Sequence, residues 1–133
     1  MKAYLAIKFH SDGSNKTLIE SLSKALEKAG IETLCFVRDV EEYSKKQFKS
    51  RELMKKAFKT IDSCDLLIID LTEKGVGLGI EAGYAYAKEI PIITIAKKGS
   101  DISETLRGIS KVIIFYTKPE DIVKELMNVV IRT

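Results

Sequence analysis

Apolar runs and amphipathic stretches alternate along the chain. Ala3–Ile7 is a short run of strand formers, broken by the polar segment His10–Asn15. Leu18, Ile19, Leu22, Ala25, Leu26 and Ala29 then recur at helical spacing, and Gly30 ends that helix. Ile31–Val37 reads as a second strand. After a polar stretch, Leu53, Met54, Ala57, Phe58 and Ile61 mark a second helix. Leu66–Leu71 is a third strand, Gly79–Lys88 a third helix and Pro91–Ala96 a fourth strand. Ile102–Ile109 reads as a short helix and Val112–Tyr116 as a fifth strand. Ile122, Val123, Leu126, Met127 and Val130 mark the last helix. Pro119 lies near its first turn, and Glu120 and Asp121 suit its positive end.

The strands are mostly continuous apolar runs, as expected when both faces of a parallel sheet are covered by helices. The pattern predicts an α/β fold: a single doubly wound domain over residues 1–133, with a five-stranded, mainly parallel sheet in the flavodoxin-like order 2-1-3-4-5. In such sheets ligands bind beyond the carboxyl ends of the strands, where the strand order reverses. That edge collects Lys8–Gly13, Arg38–Asp39, Asp70–Gly79 and Lys97–Ser103.

Composition narrows the classes of function. With 45% hydrophobic residues the 133-residue chain can bury a real core. The net charge of +3 is too small to point to a nucleic acid polymer as partner. Between Lys45 and Lys59 there are seven basic residues and one acid, Glu52, which makes either a solvated helix face or an anion-attracting rim. Cys35 and Cys64 lack metal-ligand spacing and sit in or beside apolar runs, as buried thiols of a reducing cytoplasm would. A lone histidine, His10, cannot build a histidine-based metal site, and no metal is expected. No apolar stretch reaches the roughly 18 residues of a membrane span, and the opening MKAYLAIKF is strand-like rather than a signal segment. The expected location is the cytoplasm.

The chemistry concentrates in GVGLGIEAGYAYAKEIPIITIA, residues 75–96. Gly75, Gly77, Gly79 and Gly83 match neither the G-x-G-x-x-G fingerprint nor the G-K-S/T phosphate loop. Glycines here allow a ligand to approach the backbone closely, or simply a tight turn and close helix packing. Glu81, expected in the first turn of the third helix, would be held as an anion by free N–H groups. Ionised, positioned and partly desolvated, it has the properties of a nucleophile toward a sugar carbon. The plain alternative is a helix-capping acid.

The segment G-L-G-I-E-A-G-Y-A, residues 77–85, resembles the signature of the nucleoside 2-deoxyribosyltransferase family, which includes the 2'-deoxynucleoside 5'-phosphate N-hydrolases. As in that family, it follows an apolar strand introduced by a Cys–Asp pair, Cys64–Asp65. The resemblance extends over nearly the whole chain. It implies that Glu81 is the catalytic nucleophile, that Tyr4 on the first strand lies near it, and that Ser103 in ISETLRG reaches the phosphate in a partner subunit's site. The chain departs from the family at Ala57 and Gly75, where an aspartate and an aspartate or serine are usual. It departs again at Ile7-Lys8-Phe9-His10, which replaces a Gly-Ser phosphate segment. Lys8 and His10 can serve a phosphate instead, aided by Ser14 and Thr17 near a helix start. Asp70 or Asp39 can supply the missing acid.

The implied activity is N-glycosidic cleavage, by hydrolysis or base transfer, of a nucleoside 5'-monophosphate. The expected catalytic residues are Glu81, Tyr4 and Asp70. The expected binding residues are Lys8, Phe9, His10, Asp39, Gly75, Gly77, Gly79 and Ser103. No cofactor is expected; the partners are a small nucleotide or nucleoside and further copies of the chain in a homodimer or larger assembly. Two other readings stay open. One is a nucleotide-binding module without turnover, favoured by Ala57 and Gly75. The other is a phospho-receiver domain with Asp70 as phosphoacceptor and Lys118 as switch lysine, which lacks the acidic pair needed for Mg²⁺ after the first strand.

Overall fold

The structure, a computed structural model, describes residues 1–132, and side chains through Asn128. Strands β1 (Lys2–Ala6), β2 (Glu32–Cys35), β3 (Leu66–Asp70), β4 (Ile92–Lys97) and β5 (Val112–Tyr116) pair in parallel in the order β2-β1-β3-β4-β5. Helices α1 (Lys16–Lys28), α2 (Phe36–Asp39), α3 (Ser50–Asp62), α4 (Val76–Ala87), α5 (Glu104–Ile109) and α6 (Asp121–Arg132) connect and follow them.

Successive strand residues point to opposite faces, and the core divides accordingly. On one face Ala3, Leu5, Ile68 and Ile95 meet Ile19, Leu22 and Leu26 of α1 and Ile122 and Leu126 of α6. On the other, Tyr4, Ala6, Leu67 and Ile69 meet Ala57 and Ile61 of α3 and Leu78, Ala82 and Ala85 of α4. The side chain of Val130, expected on the apolar stripe of α6, lies outside the described residues. Gly30 ends α1 as expected: its φ of +82° is a left-handed conformation that favours glycine.

Two connections differ from expectation, and both bear on the site. The second strand stops at Cys35 rather than Val37, because the chain turns at once into α2. There the Cys35 N–H donates to Asp39 Oδ2 (2.9 Å) and fixes the turn. Helix α4 starts at Val76, three residues before the expected Gly79. Gly75 is extended (φ −164°) and precedes the helix, whose glycines do not break it because Leu78, Ala82 and Ala85 are buried against the sheet. Among the described residues no helix is long and apolar enough to cross a membrane.

Candidate active site

Tyr4 sits in the middle of β1, fully buried, with its ring on the α3–α4 face. Its hydroxyl donates a hydrogen bond to Glu81 Oε2. Glu81 is the sixth residue of α4 and not part of its first turn. The expected stabilisation by free N–H groups is therefore corrected: those groups belong to the first turn, and Glu81 lies beyond it. Burial dominates instead. It pushes the Glu81 carboxyl up to about 7, against the lowering effect of the Tyr4 hydrogen bond. Tyr4 is itself held far above the usual tyrosine range, by burial first and then by the charge of Glu81.

Both side chains line a cavity of about 150 Å³, whose wall includes Met54, Ala57, Gly77 and Glu41. The cavity meets the position where the family resemblance expects an aspartate, and finds only the methyl group of Ala57. A second carboxyl enters from elsewhere. Glu41, half-buried after α2, faces the same space, and burial raises its carboxyl above the ordinary range. Sequence reasoning missed it, since a Glu41–Glu42 pair in a polar stretch looks like solvated loop. Its only signal was its position just past the carboxyl end of the second strand.

Asp70 was expected beside Glu81. The structure places it on the opposite face, because Ile69, not Asp70, shares the face of Tyr4. Asp70 is 2% exposed. Its Oδ2 accepts from the Tyr116 hydroxyl at 2.5 Å and its Oδ1 from the Thr72 N–H at 2.9 Å. Asp70 borders a separate cavity of about 70 Å³, with Lys8, His10, Thr72, Glu73 and Lys97 around it. His10 is held at both ring nitrogens, Nδ1 at 2.8 Å from Ser14 Oγ and Nε2 at 2.6 Å from Glu73 Oε2.

The remaining expected residues scatter around these two clusters. The backbone carbonyl of Lys8 accepts from Asn15 Nδ2 at 2.8 Å. Its aliphatic stem runs past Gly75, where an added Cβ would meet it at 3.9 Å. Gly77 lines the Glu81 cavity, while Gly79 is exposed on α4. None of these three glycines has a positive φ. Phe9 packs against the Tyr43 ring, 5.5 Å between centroids. Asp39 is occupied by the Cys35 N–H and by Arg38 (Nε to Oδ1, 3.0 Å). Ser103 precedes α5, where its Oγ accepts from the Leu106 N–H at 3.4 Å; it lines neither cavity. The basic stretch occupies the loop and first turns leading into α3, whose Leu53, Met54 and Ala57 form one wall of the Glu81 cavity. A wider depression, about 690 Å³, is open and lies at the opposite end of the sheet near Pro91 and Ser110. It has no counterpart of the Tyr4–Glu81 pair.

The family profile described as nucleoside 2-deoxyribosyltransferase matches residues 3–126. A Thermofilum pendens protein, provisionally named 2'-deoxynucleoside 5'-phosphate N-hydrolase 1, is 28% identical over 117 residues, covering 83% of this chain and 79% of the relative. The solved structure of a Clostridium botulinum CMP N-glycosidase superimposes with a TM-score of 0.65 at 25% identity, covering 95% of this chain and 97% of the other. A 2-deoxyribosyltransferase from Bacillus psychrosaccharolyticus shares the fold, with a TM-score of 0.71 at 14% identity over 92% of this chain and 90% of the other. The chain belongs to the nucleoside 2-deoxyribosyltransferase family, enzymes that cleave or exchange the base at the N-glycosidic bond of nucleosides.

Proposed function

We propose that this chain cleaves the N-glycosidic bond of a nucleoside 5'-monophosphate, with Glu81 as nucleophile. One observation carries the reading: a half-buried carboxyl with a single side-chain donor, Tyr4, opens onto a cavity at the carboxyl edge of the sheet. Glu81 attacks C1' of the sugar as the base departs from an oxocarbenium-like transition state, giving a glycosyl ester. Water, or a second base, then releases the sugar and regenerates the carboxylate. Tyr4 keeps its proton and orients Glu81, stabilising the carboxylate when it is expelled.

The preference for a phosphate rests on Lys8, whose stem crosses the start of α4, and on His10 in the same loop. It is supported by the names of the Thermofilum and Clostridium relatives, a 5'-phosphate N-hydrolase and a CMP N-glycosidase. Pockets for drug-sized ligands hold roughly 300–1,000 Å³, so a cavity of about 150 Å³ receives only the reacting end of a nucleotide. A homodimer completes the site in this reading. Ser103 stands outside the cavity, available to a neighbour, and α4 exposes Val76 and Ile80, one turn apart, as apolar surface for a second copy. Two free, buried cysteines support the cytoplasm as the location.

The test is chromatographic detection of free base after incubation with a panel of nucleosides and their 5'-monophosphates. Wild type should prefer the monophosphates. A charge-assisted hydrogen bond contributes roughly 1.5–3 kcal/mol, so Lys8→Ala should weaken that preference about tenfold. Equal use of both substrates would end the phosphate assignment, and an active monomer by mass measurement would end the shared site. Ligand binding without base release would instead favour a module without turnover, the reading that Ala57 in the cavity wall supports. The receiver reading loses ground, since both oxygens of the proposed phosphoacceptor Asp70 are already engaged in the core.

A further inference from the structure

We infer that Glu41 is a second catalytic carboxyl, the acid that protonates the departing base and the base that activates the attacking water. The inference rests on the reading of Glu81 as nucleophile and adds a residue to it.

Glu41 and Glu81 are the two carboxyl side chains among the residues lining the cavity, and the rest of the wall is almost wholly apolar. Their situations differ. Glu81 is held by the Tyr4 hydroxyl, whereas among the described residues the Glu41 carboxyl has no hydrogen bond and no ion pair. A half-buried acid left without a donor is unfavourable for the fold, because burial disfavours its ionisation. The charge of Glu41 is felt at both Glu81 and Tyr4. Burial raises both carboxyls, so the cavity keeps a proton at pH values where an exposed pair would have lost both. That is the arrangement a retaining glycosyl transfer requires: one carboxylate to attack and one acid to donate.

The backbone around Glu41 supports a dedicated position. Its N–H donates to the Phe36 carbonyl at 3.0 Å, and its own carbonyl accepts from the Lys46 N–H at 3.0 Å. The next three residues, Glu42, Tyr43 and Ser44, have φ of 47°, 54° and 73°. Left-handed backbone is uncommon at single non-glycine residues, and strained segments cluster at functional sites. This one is clamped. The Tyr43 hydroxyl donates to Glu20, its ring packs on Phe9, and Lys16 Nζ lies 4.5 Å from its ring centroid. The loop thus presents Glu41 from a fixed frame.

In the first half-reaction a bond forms between a Glu81 oxygen and C1' while the C1'–N bond breaks. The electron pair leaves with the base nitrogen, and the Glu41 proton goes to the base. In the second, a water oxygen bonds to C1', its proton passes to the Glu41 carboxylate, and the C1'–O pair returns to Glu81. Glu41 ends protonated, as it began.

The experiment compares wild type, Glu41→Gln and Glu81→Gln on two substrates. One is the panel of nucleoside 5'-monophosphates. The other is a 5-phosphorylated 4-nitrophenyl glycoside, whose leaving group needs no proton. A positioned acid contributes ~10²–10⁴-fold, so Glu41→Gln should lose that factor on the nucleotides. It should release the first equivalent of nitrophenolate within about tenfold of wild type, which also shows that the variant folds. Added azide, a nucleophile that needs no base, should restore its turnover of the aryl glycoside and yield the glycosyl azide. Nucleotide cleavage by Glu41→Gln at the wild-type rate overturns the inference. So does an equal loss on both substrates without azide rescue, the signature of a merely structural role. A fully active Glu81→Gln, or a wild type that releases no base, overturns the nucleophile reading itself.

Discussion

Tyr4–Glu81 and Tyr116–Asp70 are the same two chemical groups, a phenol donating to a carboxylate, set on opposite faces of one sheet. Their surroundings differ. Asp70 ends β3 with a second donor, the Thr72 N–H, and its carboxylate fastens β5 to the turn that follows β3. Glu81 has one side-chain donor, a nearby like charge and a cavity in front of it. In each pair the tyrosine is pushed up by burial and by its carboxylate partner. A buried carboxylate that is fully bonded serves the fold; one left short of donors, facing open space, is available for reaction.

The largest effect should separate the two carboxylates. Glu81→Gln is nearly isosteric and should lower base release by more than about a thousandfold. Asp70→Asn should leave activity per folded molecule within a few-fold, and should instead cost about 1–3 kcal/mol of stability in denaturant unfolding. An Asp70→Asn enzyme that folds normally but loses kcat as Glu81→Gln does would join the two faces into one site.

Periodicity made the strand order and helix faces legible, because the three central strands β1, β3 and β4 are largely buried apolar runs and α1, α3 and α6 carry clear amphipathic stripes. The same apolar runs hid the fact that mattered at β3. Leu66–Asp70 is buried at every position, so burial alone does not tell which face Asp70 joins. The parity of the pleat does: Tyr4 pairs with Leu67 in register, and Asp70 stands three residues further along. Glu81 stood out in the sequence, but its electrostatics did not. Expecting α4 to begin at Gly79 assigned it a helix dipole it does not have. Glu41 was illegible because three left-handed residues set the course of its loop, and no pattern of side chains encodes that path.

The second contrast is in stability against pH. The Glu81 carboxyl rises from 4.5 to about 7 on folding. Below both values it is protonated in either state, and the shift has no effect. Between them the folded chain keeps a proton that the unfolded chain has lost, so stability falls as pH rises. Above about 7 the whole penalty is present, about 3 kcal/mol as an order of magnitude. Glu81→Gln removes it. The variant should therefore melt higher than wild type at pH 8 and alike near pH 4. A gain of the same size at both pH values would show that burial of the charge is not its origin.

Tyr4→Phe is expected to act on rate. Its hydrogen bond lowers the Glu81 carboxyl, so its loss should move the acid limb of kcat/KM, near pH 7 in wild type, to higher pH. Turnover should fall by roughly 10–100-fold with a smaller change in KM. An unmoved limb would mean that Tyr4 serves packing alone.

Tyr116→Phe is the mirror-image change, and its effect should be the smallest. Phenylalanine fills the same buried space, so no cavity forms, and only the 2.5 Å donation to Asp70 is lost. Asp70 retains the Thr72 N–H, so its carboxylate is not stranded. A hydrogen bond to a charged acceptor is worth ~1.5–3 kcal/mol, and the partner that remains should hold the loss to about the lower end of that range. The acid limb of kcat/KM should not move, because Tyr116 lies across the sheet from Glu81. Parallel pH–rate and unfolding measurements on the two phenylalanine variants therefore test the division directly. Tyr4→Phe should shift the limb, and Tyr116→Phe should lower only the unfolding midpoint. A limb displaced equally by both would show that the two phenol–carboxylate pairs titrate as one system through the sheet.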